Sequence, residues 1–265
     1  MSASALPASP PARAVLVTGA ARRLGREISL HFARAGWDVL AHYRHSEDEA
    51  RALQAEVERL GRRCHLLAAD LAQPDAAARL LRQTIDLHGA PPHCIVNNAS
   101  IFEADNALLA SASGLFEHFS TNTATPLLLA GGLAAALAEA GQPSGGAHSV
   151  VHVLDQKVHN LNPDYFSYTV SKLALAPWVR VCGLSPGLMY LSGPQTQDNF
   201  ERASRVNLLR ELLDPAQVAR CAVFIAETPA LNGTTLQADN GQHLVPLARD
   251  VMFAVDQGLA PGAAP

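Results

Sequence analysis

Seven short apolar runs, each followed by a polar or glycine-containing turn and then, for most, a helical pattern, constrain this fold most. They lie at residues 14–17, 39–43, 64–68, 94–96, 149–154, 179–184 and 234–236. They show little alternation of apolar and polar residues, so the strands are expected to be buried on both faces, as in a parallel sheet. Helical patterns occupy about 24–36, 47–60, 75–88, 113–140, 164–176, 197–213 and 215–227, the fourth kinked near Pro126. Regular alternation predicts an α/β, doubly wound, parallel seven-stranded sheet forming a single domain over residues 14–250. Ala-, Ser-, Pro- and Gly-rich ends suggest a disordered N-terminal tail at 1–13 and a C-terminal tail at 251–265.

Composition agrees with one large domain or two small ones: 48% of the 265 residues are hydrophobic and 17% are charged. Net charge is 20 − 24 = −4, which argues against a nucleic-acid surface. No unbroken apolar run reaches the roughly 18 residues of a membrane span, and the N-terminus lacks the pattern of a signal peptide. Four dispersed cysteines point away from disulfides and metal and toward a reduced, cytoplasmic setting. The eleven histidines form no metal-binding motif.

In a doubly wound sheet, ligands bind beyond the carboxyl ends of the strands, and the chemically suggestive residues fall there. After the first run comes Thr18-Gly19, with Arg22, Arg23, Leu24 and Gly25 completing a Thr-Gly-(x)5-Gly turn into a helix. Gly19 permits a tight turn, and Gly25 permits close approach to a helix N-terminus that favours an anion. The usual middle glycine is replaced by Arg23. After the second run stand His42, Tyr43, Arg44, His45 and Ser46, with no acid before Glu47. An acid there would bind the ribose hydroxyls of NAD; cations and a hydroxyl suit the 2′-phosphate of NADP, or simply form a solvated basic loop. Asp70, with Leu71 beside it, is either an acceptor for an adenine amino group or the cap of the next helix. Asn98, Ala99 and Ser100 line the same edge, and Asn122 sits mid-helix, where asparagine has poor propensity and is expected to have a functional or hydrogen-bonding role.

The stretch 149–172 joins the fifth run, ending at Asp155, to a helix carrying Tyr168 and Lys172 four positions apart. That spacing places phenol and ammonium on one helical face, within reach of the strand-end acid. Tyr-x-x-x-Lys alone also occurs by chance in many helices.

Taken together, these residues resemble the short-chain dehydrogenase/reductase family, with its Rossmann-like sheet, over about residues 14–241. The Thr-Gly-(x)5-Gly turn, Asn97-Asn98-Ala99, Asn122, Tyr168-x-x-x-Lys172 and Ser185-Pro186-Gly187 occur in family order. Two departures are informative: Arg22-Arg23 replaces a basic residue followed by glycine, and Asp155 stands where the family usually has serine. Both are similar to the pteridine reductase branch and its bacterial dihydrofolate/dihydromonapterin reductase relatives. So are the His42-Tyr43-x-x-Ser46 run and Asn98-Ala99-Ser100 followed by Phe102.

The resemblance implies NADPH as cofactor and a small reduced pterin as substrate in a homo-oligomer, a tetramer in the family, with no membrane or nucleic-acid partner and no metal. It implies cofactor contacts from Gly19, Arg22, Arg23, Leu24 and Gly25, from His42 to Ser46, Asp70-Leu71, Asn98 to Ser100, Tyr168, Lys172, Pro186 and Gly187. Substrate contacts would come from Arg22, Ser100, Phe102, Asp155 and Tyr168, with Phe102 sandwiching the pterin against the nicotinamide. Asp155, Tyr168, Lys172 and Asn122 form the implied catalytic set. A lysine cation at about 5 Å and an effective dielectric of about 20 would lower the tyrosine pKa by roughly 2 units. An ordinary carbonyl reductase of the same family is the alternative. A further alternative is a catalytically impaired NADP-binding protein, because the helix after Lys172 is several turns shorter than the resemblance implies. Over 164–176 it would span only about 20 Å. The loop at 189–199 is expected over the substrate.

Overall fold

The computed structural model describes residues 12–141, 148–175 and 181–260. Among these, β1 (Ala14–Val17), β2 (Asp38–Tyr43), β3 (Cys64–Ala68), β4 (Cys94–Asn97), β5 (Ser149–Val153), β6 (Cys182–Pro186) and β7 (Thr235–Ala238) form one sheet. Every pairing is parallel, in the order β3-β2-β1-β4-β5-β6-β7. The order reverses between β1 and β4, opening a crevice at their carboxyl ends.

Successive side chains of a strand face opposite layers. Val15 and Val17 join Ile28 and Phe32 of α1 (Arg23–Arg34), Leu53 of α2 (Glu47–Arg59) and Ala222 of α8 (Pro215–Glu227). Ala14 and Leu16 face the other way, onto Leu80 of α3 (Ala76–His88) and Leu133 of α5 (Thr125–Glu139). The two apolar layers hold the strand ends, and hence the crevice, in a fixed arrangement.

The expected 113–140 helix is α4 (Ala112–Phe119), a π-helical turn at Ser120–Ala124, and α5. The irregularity is this turn, just before Pro126, which lies within a run of unbroken helical dihedrals and lacks the N–H that would continue the ladder. The 28-residue stretch has the length and a mean hydropathy of 1.2 compatible with a membrane span, although no unbroken apolar run does. Here it packs on α3 and on α6 (Phe166–Ala174) as a core helix.

Other boundaries differ from expectation. The sixth strand runs from Cys182 through Pro186, paired to Ala238, rather than over 179–184. The expected helix at 197–213 stops as α7 (Gln197–Ala203), where Asn207 Nδ2 bonds the carbonyls of Ser204 and Glu211. The expected C-terminal tail at 251–265 begins with a packed helix, α9 (Val251–Asp256), started by Asp250 Oδ1 accepting from Met252 N. Val251 and Val255 are buried against Ala203 and Ala260. Most of the expected N-terminal tail, the Gln142–Gly146 loop, residues 176–180 and the end from residue 261 lie outside the described residues.

Candidate active site

A cleft of about 480 Å³ runs along the carboxyl edge of the sheet, from Gly19 and Arg44 to Asp155, Tyr168 and Met252. At the first end, Thr18 Oγ1 accepts from the N–H groups of Asn98 and Ala99 at 2.9 and 3.0 Å. Asn98 Nδ2 donates back to the carbonyls of Thr18 and Gly19. These bonds fix the turn across the β1–β4 switch point. Gly19 has φ +65°, and a Cβ on Gly25 would lie 2.1 Å from the Gly19 oxygen, so no larger residue fits there. Arg23, at the position of the usual middle glycine, itself adopts φ +50°. Its guanidinium crosses the cleft to the Leu191 carbonyl at 2.9 Å.

His42 lines the cleft as expected, but as a neutral brace. Its Nδ1 accepts from Gly19 N at 3.0 Å, and its Nε2 faces the Ala69 carbonyl at 3.1 Å, which requires the neutral Nε2–H tautomer. Burial lowers its pKa to about 4. It braces three strand ends and is not a cation for a phosphate. Tyr43, His45 and Ser46 are not among the cleft-lining residues; Arg22, Arg23, Leu24, Arg44, Asp70, Leu71, Asn98, Ala99 and Ser100 are. Arg22 pairs with Glu49, and Arg44 with Asp70 at 3.3 Å. Asp70 also accepts from Ala72 N at 3.1 Å, which closes a local turn; it does not cap the next helix, which starts at Ala76 after Asp75.

At the other end the strand-end acid, phenol and amine converge. Tyr168 Oη donates to Asp155 Oδ2 at 2.8 Å, while Lys157 N donates to Asp155 Oδ1 at 2.8 Å. Lys172 Nζ donates to the Val153 carbonyl at 2.7 Å and lies 5.7 Å from the centre of the Tyr168 ring. The short helix α6, nine residues and about 13 Å long, still places tyrosine and lysine together beside β5.

The expected lowering of the Tyr168 pKa is overturned. Burial and the adjacent Asp155 charge raise it well above 10. Burial also raises Asp155, against the Lys157 N–H, the Lys157 charge and the Tyr168 bond. Burial lowers Lys172 to about 8, partly offset by Asp155. The phenol is thus kept neutral, with its proton directed at the carboxylate.

Asn122 has the hydrogen-bonding role expected of a mid-helix asparagine, but it is not at the cleft wall with the rest of the implied catalytic set. It is fully buried within the π-helical turn; its Nδ2 donates to the Ile101 carbonyl and to Ser171 Oγ, and its Oδ1 accepts from Ile101 N. Asn122 does not line the cleft: it positions the loop bearing Phe102, and its neighbour Thr121 faces the cavity. Phe102 stacks on Tyr165 at 4.1 Å and meets Tyr168 edge-on at 4.7 Å. Pro186 and Gly187 line the cleft. Gln242 Oε1 accepts from Leu188 N at 2.8 Å and anchors the loop that follows Gly187.

Several lining residues were not foreseen. Tyr165 has φ +56° and is held by its N–H to the Asp105 carbonyl. Lys157 Nζ pairs with Asp250 Oδ2 at 2.6 Å, both side chains nearly enclosed, and lies over the Tyr165 ring. Asp250 N donates to Asp164 Oδ2, and Arg249 forms a two-point bond to the same carboxylate. The start of α9 thereby becomes a wall of the cleft. Lys157, two positions after Asp155, had a local signal; Asp250, within a segment resembling the approach to a tail, had only its place before an apolar run.

Comparisons with known proteins agree with this fold. The family model described as short chain dehydrogenase matches residues 13–185. An uncharacterized oxidoreductase of Mycobacterium tuberculosis, MT0954, is 32% identical over 247 residues, covering 86% of this chain and 91% of that protein. NADPH-dependent aldehyde reductase 2 of Arabidopsis thaliana is 26% identical, covering 91% of this chain and 99% of that protein. Among solved structures, FolM alternative dihydrofolate reductase 1 from Brucella canis, complexed with NADP, superposes with TM-score 0.79 at 33% identity, covering 88% of this chain and 94% of that one.

Proposed function

The chain belongs to the short-chain dehydrogenase family, and we propose that it is an NADPH-dependent reductase of a C=N bond in a dihydropterin- or dihydrofolate-type substrate. The observation that carries this reading is the 2.8 Å bond between Tyr168 Oη and Asp155, an acid at a position where a hydroxyl would suffice to orient a ketone. The Brucella canis FolM similarity supports the same substrate class.

The residues fit a dinucleotide. The turn at Gly19–Gly25 and the N-terminus of α1 suit a pyrophosphate. Arg22 and Arg44, on the rim of the cleft, would hold a 2′-phosphate, each giving up the acid to which it is paired. Lys172, beside Tyr168, serves the nicotinamide ribose. Bound NADPH supplies the hydride.

The remaining chemistry belongs to the chain. Reducing C=N adds hydride to carbon and a proton to nitrogen. Tyr168, neutral because it is buried, supplies the proton at Oη. Asp155, whose affinity for a proton the same burial raises, then takes up a proton from solvent and passes it to the phenolate, which restores the phenol. Lys172 stabilises the negative charge that develops on Oη. Phe102 has one face on Tyr165, so it stacks a substrate ring on its other face.

The test compares NADPH oxidation with dihydropterins, dihydrofolate and simple ketones. Asp155→Ala is expected to lower dihydropterin turnover by about 10²-fold or more while NADPH affinity is kept. Unchanged turnover, or loss of both properties, counts against the reading. A carbonyl reductase is the second reading, favoured by the similarity to the Arabidopsis aldehyde reductase; it requires ketone or aldehyde turnover to exceed dihydropterin turnover.

A further inference from the structure

The loop between β6 and α7 carries Gln195, a buried residue that lines the cleft. Its amide orientation is dictated by a chain of contacts. Asn199 Nδ2 donates to the Met252 carbonyl at 2.8 Å, which turns Asn199 Oδ1 toward Gln195. Gln195 Nε2 then donates to that oxygen at 2.8 Å. A flipped Gln195 would set two acceptors against each other, so its carbonyl oxygen is the free end. That oxygen is shut from water and has no hydrogen-bond partner among the described residues. Gln156, next to Asp155, is a second residue of the cleft wall with a buried amide oxygen that has no partner among the described residues. A buried acceptor without a donor is costly, and a ligand that donates would satisfy it.

The site also lies at the substrate end. Gln195 N donates to the Ser192 carbonyl, and the loop passes over Tyr165 at Gly193, whose added Cβ would be 3.3 Å from the Tyr165 hydroxyl. Met252, which anchors the Gln195–Asn199 chain, packs with Tyr165 and Tyr168.

We propose that Gln195 is a specificity-determining residue whose side-chain carbonyl accepts an N–H of the substrate, with Asn199 and the Met252 carbonyl as the fixture that holds it. The inference rests on the reductase reading and narrows its substrate to rings bearing a lactam- or amidine-type N–H near the reducible bond. A pterin has such groups and a simple ketone has none.

The experiment measures kcat/KM of the full chain with 7,8-dihydrobiopterin and with a matched carbonyl pair, isatin and N-methylisatin, which differ in one N–H. Gln195→Met keeps side-chain length and removes the acceptor; Gln195→Ala replaces it should the first variant fold poorly, as judged by melting temperature and NADPH affinity. The expected result is a KM for dihydrobiopterin raised on the order of tenfold, with NADPH affinity unchanged. The wild-type preference for isatin over N-methylisatin should shrink by a similar factor. Dihydrobiopterin turnover with a KM and an isatin preference indifferent to the variants overturns the role of Gln195 and spares the pterin reading. No dihydrobiopterin turnover with an isatin preference that the variants abolish overturns the pterin reading and spares the acceptor. Turnover of none of the three substrates, or no isatin preference in the wild type, overturns the acceptor.

Discussion

The two ends of the cleft are built on different principles. The end around Gly19, His42 and Asn98 is made largely of backbone and neutral groups: two asparagine–carbonyl bonds, a threonine hydroxyl and a neutral imidazole. Its charges, Arg22 and Arg44, stand on the rim, with side chains 62% and 46% exposed. The end around Asp155 buries its charges: Lys157 with Asp250, and Lys172 beside Tyr168. The first arrangement leaves cations free to exchange partners with an anion at little cost to the fold. The second holds proton-transfer groups at fixed distances and raises or lowers their pKa values, but it makes stability depend on every partner.

The sharpest way to break that contrast is Asp250→Ala. It leaves the Lys157 ammonium buried without its partner at 2.6 Å and removes the cap of α9. The expected loss is about 3–5 kcal/mol of unfolding free energy, read by urea denaturation. Replacing both partners, Lys157→Met with Asp250→Leu, should recover most of it, because two desolvated charges are removed together. A single variant as stable as the wild type would show that the substrate end tolerates unpaired charge.

A second test uses pH. Lys172 falls from an ordinary 10.5 to about 8 on burial. Between those values the unfolded chain holds a proton that the folded one has released. Unfolding free energy should therefore rise from about pH 8 to 10.5, by up to roughly 3 kcal/mol for this group. Below pH 8 both states are protonated and the full burial cost remains. Catalysis that uses the charged amine should fall over the same interval, so stability and kcat/KM move in opposite directions. Lys172→Met should flatten this contribution to the stability profile. Parallel movement of the two curves would remove Lys172 from the proton inventory.

The same contrast explains what could be read from sequence. The β1 turn, the 64–68 strand and the 215–227 helix were legible because their determinants are local: Gly19 at positive φ, an apolar run, and Asp214 with Pro215 opening a helix. Asp155, Tyr168 and Lys172 were legible as a set through spacing, since helix geometry places two of them and the strand end the third. The direction of the Tyr168 pKa was not, because a neighbouring lysine charge points it downward and burial, invisible in the sequence, outweighs that charge. His42 was read as a cation for the same reason: a histidine beside a basic run looks charged until its two backbone partners are known. The Lys157–Asp250 pair and the Arg249–Asp164 bond join residues far apart in sequence, the second across 85 positions, and arise only when α9 docks. The composition around α9 resembles a tail, although Asp250 before Val251-Met252 was a usable start signal.

The smallest effect tests the cofactor end. Arg44→Ala removes a guanidinium that is 46% exposed and paired with Asp70 at 3.3 Å. An exposed ion pair of this kind contributes about 0–1 kcal/mol, so melting should hardly change. On the proposed cofactor reading, NADPH loses one charged contact to its 2′-phosphate, and its Kd should rise by roughly tenfold. NADH has no such phosphate, and its weaker binding should stay as it was. The ratio of the two dissociation constants, measured by nucleotide fluorescence, therefore isolates the phosphate contact from general damage to the cleft. If Arg44→Ala instead weakens both nucleotides equally and lowers the melting temperature, the rim charge supports the turn itself, and the cofactor end depends on charge as the substrate end does.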